Sequence, residues 1–159
     1  MNSNKALIEK FYSSFERLDH EGMGACYHEE VTFTDPVFPS LKGKQARAMW
    51  KMLIDALSKN RGEWKLELTD VVADEEKGSC RWDAHYTFSL TRRKVHNIIT
   101  ANFLFKDGKI IKHDDIFDFY RWARMAFGPV GFFLGWTQFF KRKLQRKTSE
   151  RLTSFIKRS

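Results

Sequence analysis

Two acidic positions in this chain have residue types and spacing suited to proton transfer. The first is Asp35, which closes the apolar run Val31-Thr32-Phe33-Thr34 and directly precedes Pro36. Proline fixes its own φ and lacks an N–H, so the carboxylate is held rigidly, where an apolar wall can raise its pKa. The second is His113-Asp114-Asp115 in the last strand-like stretch. By strict alternation Ile111, His113, Asp115 and Phe117 share one face, and Lys112, Asp114, Ile116 and Asp118 the other. Plainer readings exist for each. Asp-Pro is ordinary turn chemistry, Asp115 could pair with Arg47 or Arg81, and a strand histidine can simply hydrogen-bond a core carbonyl.

The elements that must position these residues follow from hydrophobic periodicity. Ala6, Leu7, Phe11, Phe15 and Leu18 recur at three- and four-residue steps and predict a helix over 4–18. Asp19 caps a short helix over 21–27, a strand follows at 31–34, and Pro36, Pro39 and Gly43 mark a loop. Ala46, Met49, Trp50, Leu53, Ile54 and Leu57 give a third helix an apolar face, ended by Asn60-Arg61-Gly62. Four strands are then predicted at 63–73, 79–90, 94–106 and 109–119, with Asp107-Gly108 as the strongest hairpin turn. Helices followed by an antiparallel meander specify an α+β fold: a cone-shaped curved sheet wrapped around three N-terminal helices, its mouth between them.

The composition bounds the rest. With 159 residues, 42% apolar and 15% aromatic, the chain can bury a real core, and 15 phenylalanines suit dense packing or a cavity for a flat apolar ligand. Residues 1–118 hold 18 Lys+Arg against 19 Asp+Glu, whereas residues 119–159 hold 10 against the single acid Glu150, so the net charge of +8 arises in the tail. Residues 125–140 are apolar but broken by glycines and too short for the ~20 residues of a membrane span. Phe133, Trp136, Phe140, Leu144, Leu152 and Phe155 fall near one helical face there, with basic residues around the other sides. That pattern fits docking on its own domain or on a second subunit, or peripheral contact with a membrane through residues 125–158. The tail's aromatics lie on its apolar face and no recognised motif accompanies the charge, which argues against nucleic acid. Cys26 and Cys80 form no motif and the polar start is no secretory signal, so the expected compartment is the cytoplasm. His113, Asp115 and Asp35 have no recognisable ligand spacing, so neither metal nor other cofactor is expected.

The order helix, short helix, strand ending in Asp-Pro, helix and four-strand meander, with Phe103-Leu-Phe-Lys-Asp-Gly-Lys-Ile110, resembles the nuclear transport factor 2-like superfamily. Within it the chain looks most like the SnoaL-like polyketide cyclase and ketosteroid isomerase-like branch. The resemblance covers about residues 4–120, so residues 1–120 form the expected domain and 121–159 a basic amphipathic helical extension. It implies that Asp35 matches the isomerase general base, a tuned-carboxylate system described in general accounts of catalysis. It also implies that His113-Asp114-Asp115 matches a cyclase His-x-Asp, with Asp115 as acid or base and His113 nearby. The isomerase's two oxyanion donors fall at Phe11 and Ala101, which cannot donate, leaving Tyr12 one residue away. Trp50 falls near an aromatic pocket position, and Tyr12, Trp82, Tyr86, Asn97, Ile99, Phe103 and Phe117 are the further lining candidates. Homodimerisation is implied by the same resemblance. Two functions follow as expectations: a cofactor-free isomerase, lyase or cyclase acting on a small hydrophobic carbonyl compound, or a non-catalytic module binding a small hydrophobic ligand or lipid.

Overall fold

The computed structural model describes residues 2–159. Helix α1 spans Ser3–Glu16 and starts where the Asn2 side chain accepts the Asn4 and Lys5 amides. Asp19 caps α2 (His20–Ala25) in the same way through Gly22. Strand β1 (Tyr27–Thr34) begins four residues before the predicted one, because Tyr27, Val31 and Phe33 are all buried on one side of it. The two-residue strand β2 (Leu41–Lys42) leads into α3 (Lys44–Ser58), and a 3-10 turn at Arg61–Glu63 replaces the predicted start of the next strand.

Strands β3 (Lys65–Ala73), β4 (Lys77–Thr87), β5 (Lys94–Lys106) and β6 (Lys109–Ile116) form the expected meander. The sheet order is β2-β1-β6-β5-β4-β3, and it is antiparallel except where β1 lies parallel to β6. Phe33 is thereby in register with His113, and Thr34 with Asp114. A register shift between Leu104 and Phe105 interrupts the alternation of β6. Ile110, His113 and Asp115 are buried and Ile111 only partly so, which corrects the expectation that Ile111 shares a face with His113 and Asp115. Asp118 leaves the sheet and caps the next helix through the Arg121 amide.

The tail folds as α4 (Phe119–Phe127), α5 (Pro129–Leu134) and α6 (Gln138–Arg158), and among the described residues no helix is long and apolar enough to cross a membrane. Helix α4 docks on the sheet through Trp122, Ala123 and Ala126, whose cluster draws in Phe140 and Leu144. Helix α6 runs back along α3 and buries Leu152 in the main core. The single apolar face expected from Phe133 to Phe155 is split: Phe140, Leu144 and Leu152 turn inward, while Phe133 and Trp136 are 68% and 70% exposed. The break is physical, since α5 ends at Leu134 and α6 begins only at Gln138, so one helical period cannot run through both.

Glycine at 131 is required by the corner between α4 and α5, where an added Cβ would sit 1.9 Å from the Ala123 carbonyl oxygen. Gly131→Ala is expected to destabilise the fold by about 1–3 kcal/mol through overpacking. Gly62→Ala, which meets nothing within 4 Å, should stay within about 0.5 kcal/mol of the parent, and urea unfolding of both variants beside the parent checks the contrast.

Candidate active site

A cavity of about 400 Å³ lies between the concave face of the sheet and the helices. Its floor and sides are Trp50, Leu53 and Leu57 of α3 with Trp82, Tyr86 and Ile99 of the sheet. Asp35, Val37 and Phe38 enter from the loop after β1, Asp115 and Phe117 from the end of β6, and Trp122 from α4. A further wall is α6, which contributes Leu144, Lys147, Thr148 and Arg151. That helix is fastened to the Asp35 loop by two side chains: Gln145 Nε2 donates to the Pro36 carbonyl at 2.9 Å and Thr148 Oγ1 to that of Val37 at 3.3 Å.

Asp35 Oδ1 accepts the backbone N–H groups of Val37 at 2.7 Å and Phe38 at 2.6 Å, which orients the carboxyl rigidly. Burial among apolar walls pushes its pKa up to about 7; the charge of Asp115 adds to the rise, against the pull of the two amides. Asp35 and Asp115 therefore share one cavity at sensing distance, and among the described residues no Lys or Arg is salt-bridged to either. The alternative partners are occupied elsewhere: Arg81 pairs with Asp83, and Arg47 donates to the Tyr27 carbonyl.

Behind Asp115 runs a line of buried hydrogen bonds. Trp50 Nε1 donates to the Tyr27 hydroxyl at 2.8 Å, that hydroxyl lies 2.8 Å from His113 Nδ1, and His113 Nε2 lies 2.8 Å from Asp115 Oδ1. Because Tyr27 already accepts from Trp50, its own proton is free for Nδ1. That assigns the ring hydrogen of His113 to Nε2, which donates to the Asp115 carboxylate. Burial holds the Tyr27 and Tyr12 hydroxyls well above their usual pKa, and the Cys80 thiol is pushed up to about 12, so all three keep their protons. Phe33 and Phe103 pack on the imidazole at centroid distances of 5.0 and 4.6 Å and exclude water from it.

Of the residues singled out in the sequence, Asp35, Asp115, Trp50, Trp82, Tyr86, Ile99 and Phe117 line the cavity. His113 is wholly buried and reaches the cavity only through Asp115. Among the described residues the walls do not include Tyr12, Asn97 or Phe103, which corrects their assignment as lining. Tyr12 points from α1 into the layer behind, where its hydroxyl is 3.5 Å from His113 Nε2; Phe103 covers His113 from the neighbouring strand; and Asn97 is buried in β5 opposite Ala84. Phe11 and Ala101 are fully buried as well, Phe11 stacked on Tyr27 at 5.2 Å and Ala101 in register with Asp115.

Sequence reasoning missed Tyr27, the hydroxyl in the middle of the buried line. The period-two series Tyr27, Val31, Phe33 was the available signal, interrupted by exposed Glu29 and by a register shift between Tyr27 and Thr32. It also missed Phe15, Trp64, Phe88 and Trp122 as walls. Among the described residues, the one buried side-chain polar atom without a partner is Trp82 Nε1. No group of three or more His, Cys, Asp or Glu side chains among these residues is placed to hold a metal ion.

The SnoaL-like domain family matches residues 8–113. This chain belongs to the SnoaL-like family. Its fold is similar to a nuclear transport factor 2-like protein of unknown function from Burkholderia pseudomallei, with a TM-score of 0.66 at 17% identity, covering 79% of this chain and 98% of that one. TerC, co-crystallised with polyporic acid, also superposes with a TM-score of 0.66 at 18% identity over 80% of this chain and all of the other. A protein provisionally assigned as a polyketide cyclase, from a Silicibacter species, gives 0.63 at 20% identity over 78% and 94%. These likenesses establish a shared fold. A search of curated proteins finds no match.

The raised pKa of Asp35 has a measurable consequence. Its folded-state value of about 7 lies above the ordinary 3.8, so the bound proton stabilises the fold fully below about pH 4, and that contribution is lost as pH rises through 7. At ~1.4 kcal/mol for each pH unit between the two values, the swing is roughly 4 kcal/mol. Asp35→Asn keeps an acceptor for Val37 and Phe38 and is expected to lack this decline. Urea unfolding of both proteins from about pH 4 to about pH 8 checks it; parallel curves would refute the raised value.

Proposed function

We propose that this SnoaL-like protein is a cofactor-free acid–base enzyme, an isomerase, lyase or cyclase acting on a small hydrophobic carbonyl compound. The observation that carries the reading is a pair of carboxylates in one aromatic-walled cavity whose surroundings differ. Asp35 is desolvated and carries a proton near neutrality, while Asp115 accepts a hydrogen bond from a histidine locked in place. Such a pair divides the labour of enolisation. Asp115 takes a proton from the carbon next to the carbonyl, and Asp35 gives its proton to the oxygen on which negative charge develops. Collapse of the enol then returns one proton to carbon and one to Asp35, so the catalyst is restored without a redox partner.

The buried line fits this division. As Asp115 gains a proton, its hydrogen bond from His113 weakens, and the Tyr27–Trp50 pair keeps the imidazole oriented for the return. His113 is thus a positioning residue, and the absence of donors at Phe11 and Ala101 makes Asp35 the source of oxyanion stabilisation.

The reading predicts solvent deuterium exchange into the α-carbon of cyclic apolar ketones, followed by NMR. Asp115→Asn and Asp35→Asn are each expected to lower the rate by about 10²–10⁴-fold. Exchange by the parent should fall above about pH 7 as Asp35 loses its proton. His113→Gln should alter this pH profile and kcat more than KM. Tight ketone binding without any exchange by the parent protein would overturn catalysis and assign the cavity to ligand carriage.

A further inference from the structure

The tail carries a surface that the cavity chemistry does not use. Between α5 and the start of α6, six apolar side chains face solvent within ten residues: Val130, Phe132, Phe133, Leu134, Trp136 and Phe139. Phe139 is 74% exposed, and Phe132 and Phe133 meet edge to face at 5.1 Å without covering each other. The Trp136 N–H is already satisfied by the Phe133 carbonyl at 3.0 Å, so the ring loses no hydrogen bond on leaving water. Contiguous exposed aromatics of this kind mark an interaction site.

Phe139, Arg142, Lys143 and Arg146 follow at the three- and four-residue steps of one exposed helical face. None of these basic residues is in an ion pair among the described residues, and the whole segment 119–159 holds the single acid Glu150. Aromatic side chains at a corner with unpaired cations directly beside them match the two layers of an anionic lipid surface, the acyl boundary and the headgroups. A second copy of this chain fits worse, because a symmetric contact through the same patch would bring two strongly basic corners together.

We infer that the α5–α6 corner seats on an anionic membrane surface, its aromatic tip in the acyl boundary and the α6 basic face on the headgroups. The consequence for the cavity is geometric. Helix α6 also supplies its Leu144–Arg151 wall, and at about 1.5 Å per residue Thr148 stands roughly 14 Å along the axis from Phe139. The α6 wall of the cavity is thus held close to the bilayer. The inference is independent of any turnover in the cavity.

Co-sedimentation of the full chain with phosphatidylcholine vesicles, with and without phosphatidylglycerol, tests it. Binding is expected to be at least about tenfold stronger to the anionic vesicles and to weaken with added salt. Joint reversal of Arg142→Glu, Lys143→Glu and Arg146→Glu should lower it by about a hundredfold, roughly fivefold for each cation lost. Phe133→Ser with Trp136→Ser should lower binding to both vesicle types by about tenfold or more. All five positions are exposed, so circular dichroism melting curves should be unchanged, and Asp35→Asn should bind vesicles as the parent does. Equal binding to neutral and anionic vesicles, or none to either, would overturn the inference. So would a concentration-dependent dimer in sedimentation equilibrium that the Phe133→Ser, Trp136→Ser variant dissociates, which would give the corner to a second copy.

Discussion

The constraint on which this structure turns is the need to satisfy a histidine buried in an aromatic core. His113 has no contact with solvent, and an imidazole so enclosed costs several kcal/mol unless both ring nitrogens find partners. Both do, through Tyr27 on one side and Asp115 on the other, and Trp50 completes the line. The four residues come from α3, β1 and β6, so satisfying one side chain fixes three elements relative to one another. The parallel pairing of β1 with β6, an exception in an otherwise antiparallel sheet, is what brings Tyr27 within reach. Phe11, Phe33 and Phe103 then fill the space around the polar line and keep its dielectric low.

Rigidity on that side contrasts with the composition of the cavity itself. Its walls are mostly aromatic and aliphatic, and its charged groups among the described residues are two carboxylates and the cationic residues Lys147 and Arg151 on α6. The carboxylates differ because their surroundings differ. Asp35 faces apolar walls and feels the charge of Asp115, whereas Asp115 has the dipole of His113 to lean on. Helix α6 closes the cavity and is tied to the loop that carries Asp35, so the tail and the most perturbed acid form one mechanical unit.

Much of the scaffold was legible in the order of residues because its signals are local. Apolar residues at helical spacing marked α1 and α3, Asp19 marked a cap, and Asp107-Gly108 marked a hairpin; each depends on neighbours a few positions away. Asp35 and Asp115 were legible as candidates because an acid beside an apolar run is conspicuous. The misses share a cause. Tyr12, Asn97 and Phe103 face inward as expected, but the sheet has two inward depths, and alternation cannot tell the cavity wall from the layer behind it. The register shift that displaced Ile111 and the break between Leu134 and Gln138 likewise left no periodic trace.

The sequence by itself determined most of the secondary elements and the α+β class, since these follow from the spacing of apolar residues and from turn chemistry. It also determined where the charge lies, because counting needs no coordinates. Only the tertiary structure decided that Tyr27 and Trp50 would meet His113, that α6 would become a wall of the cavity, and that Phe133 and Trp136 would face outward while Leu144 and Leu152 faced in. Those outcomes depend on pairings between residues as much as 111 positions apart, where the deciding energies are packing and the satisfaction of buried polar groups.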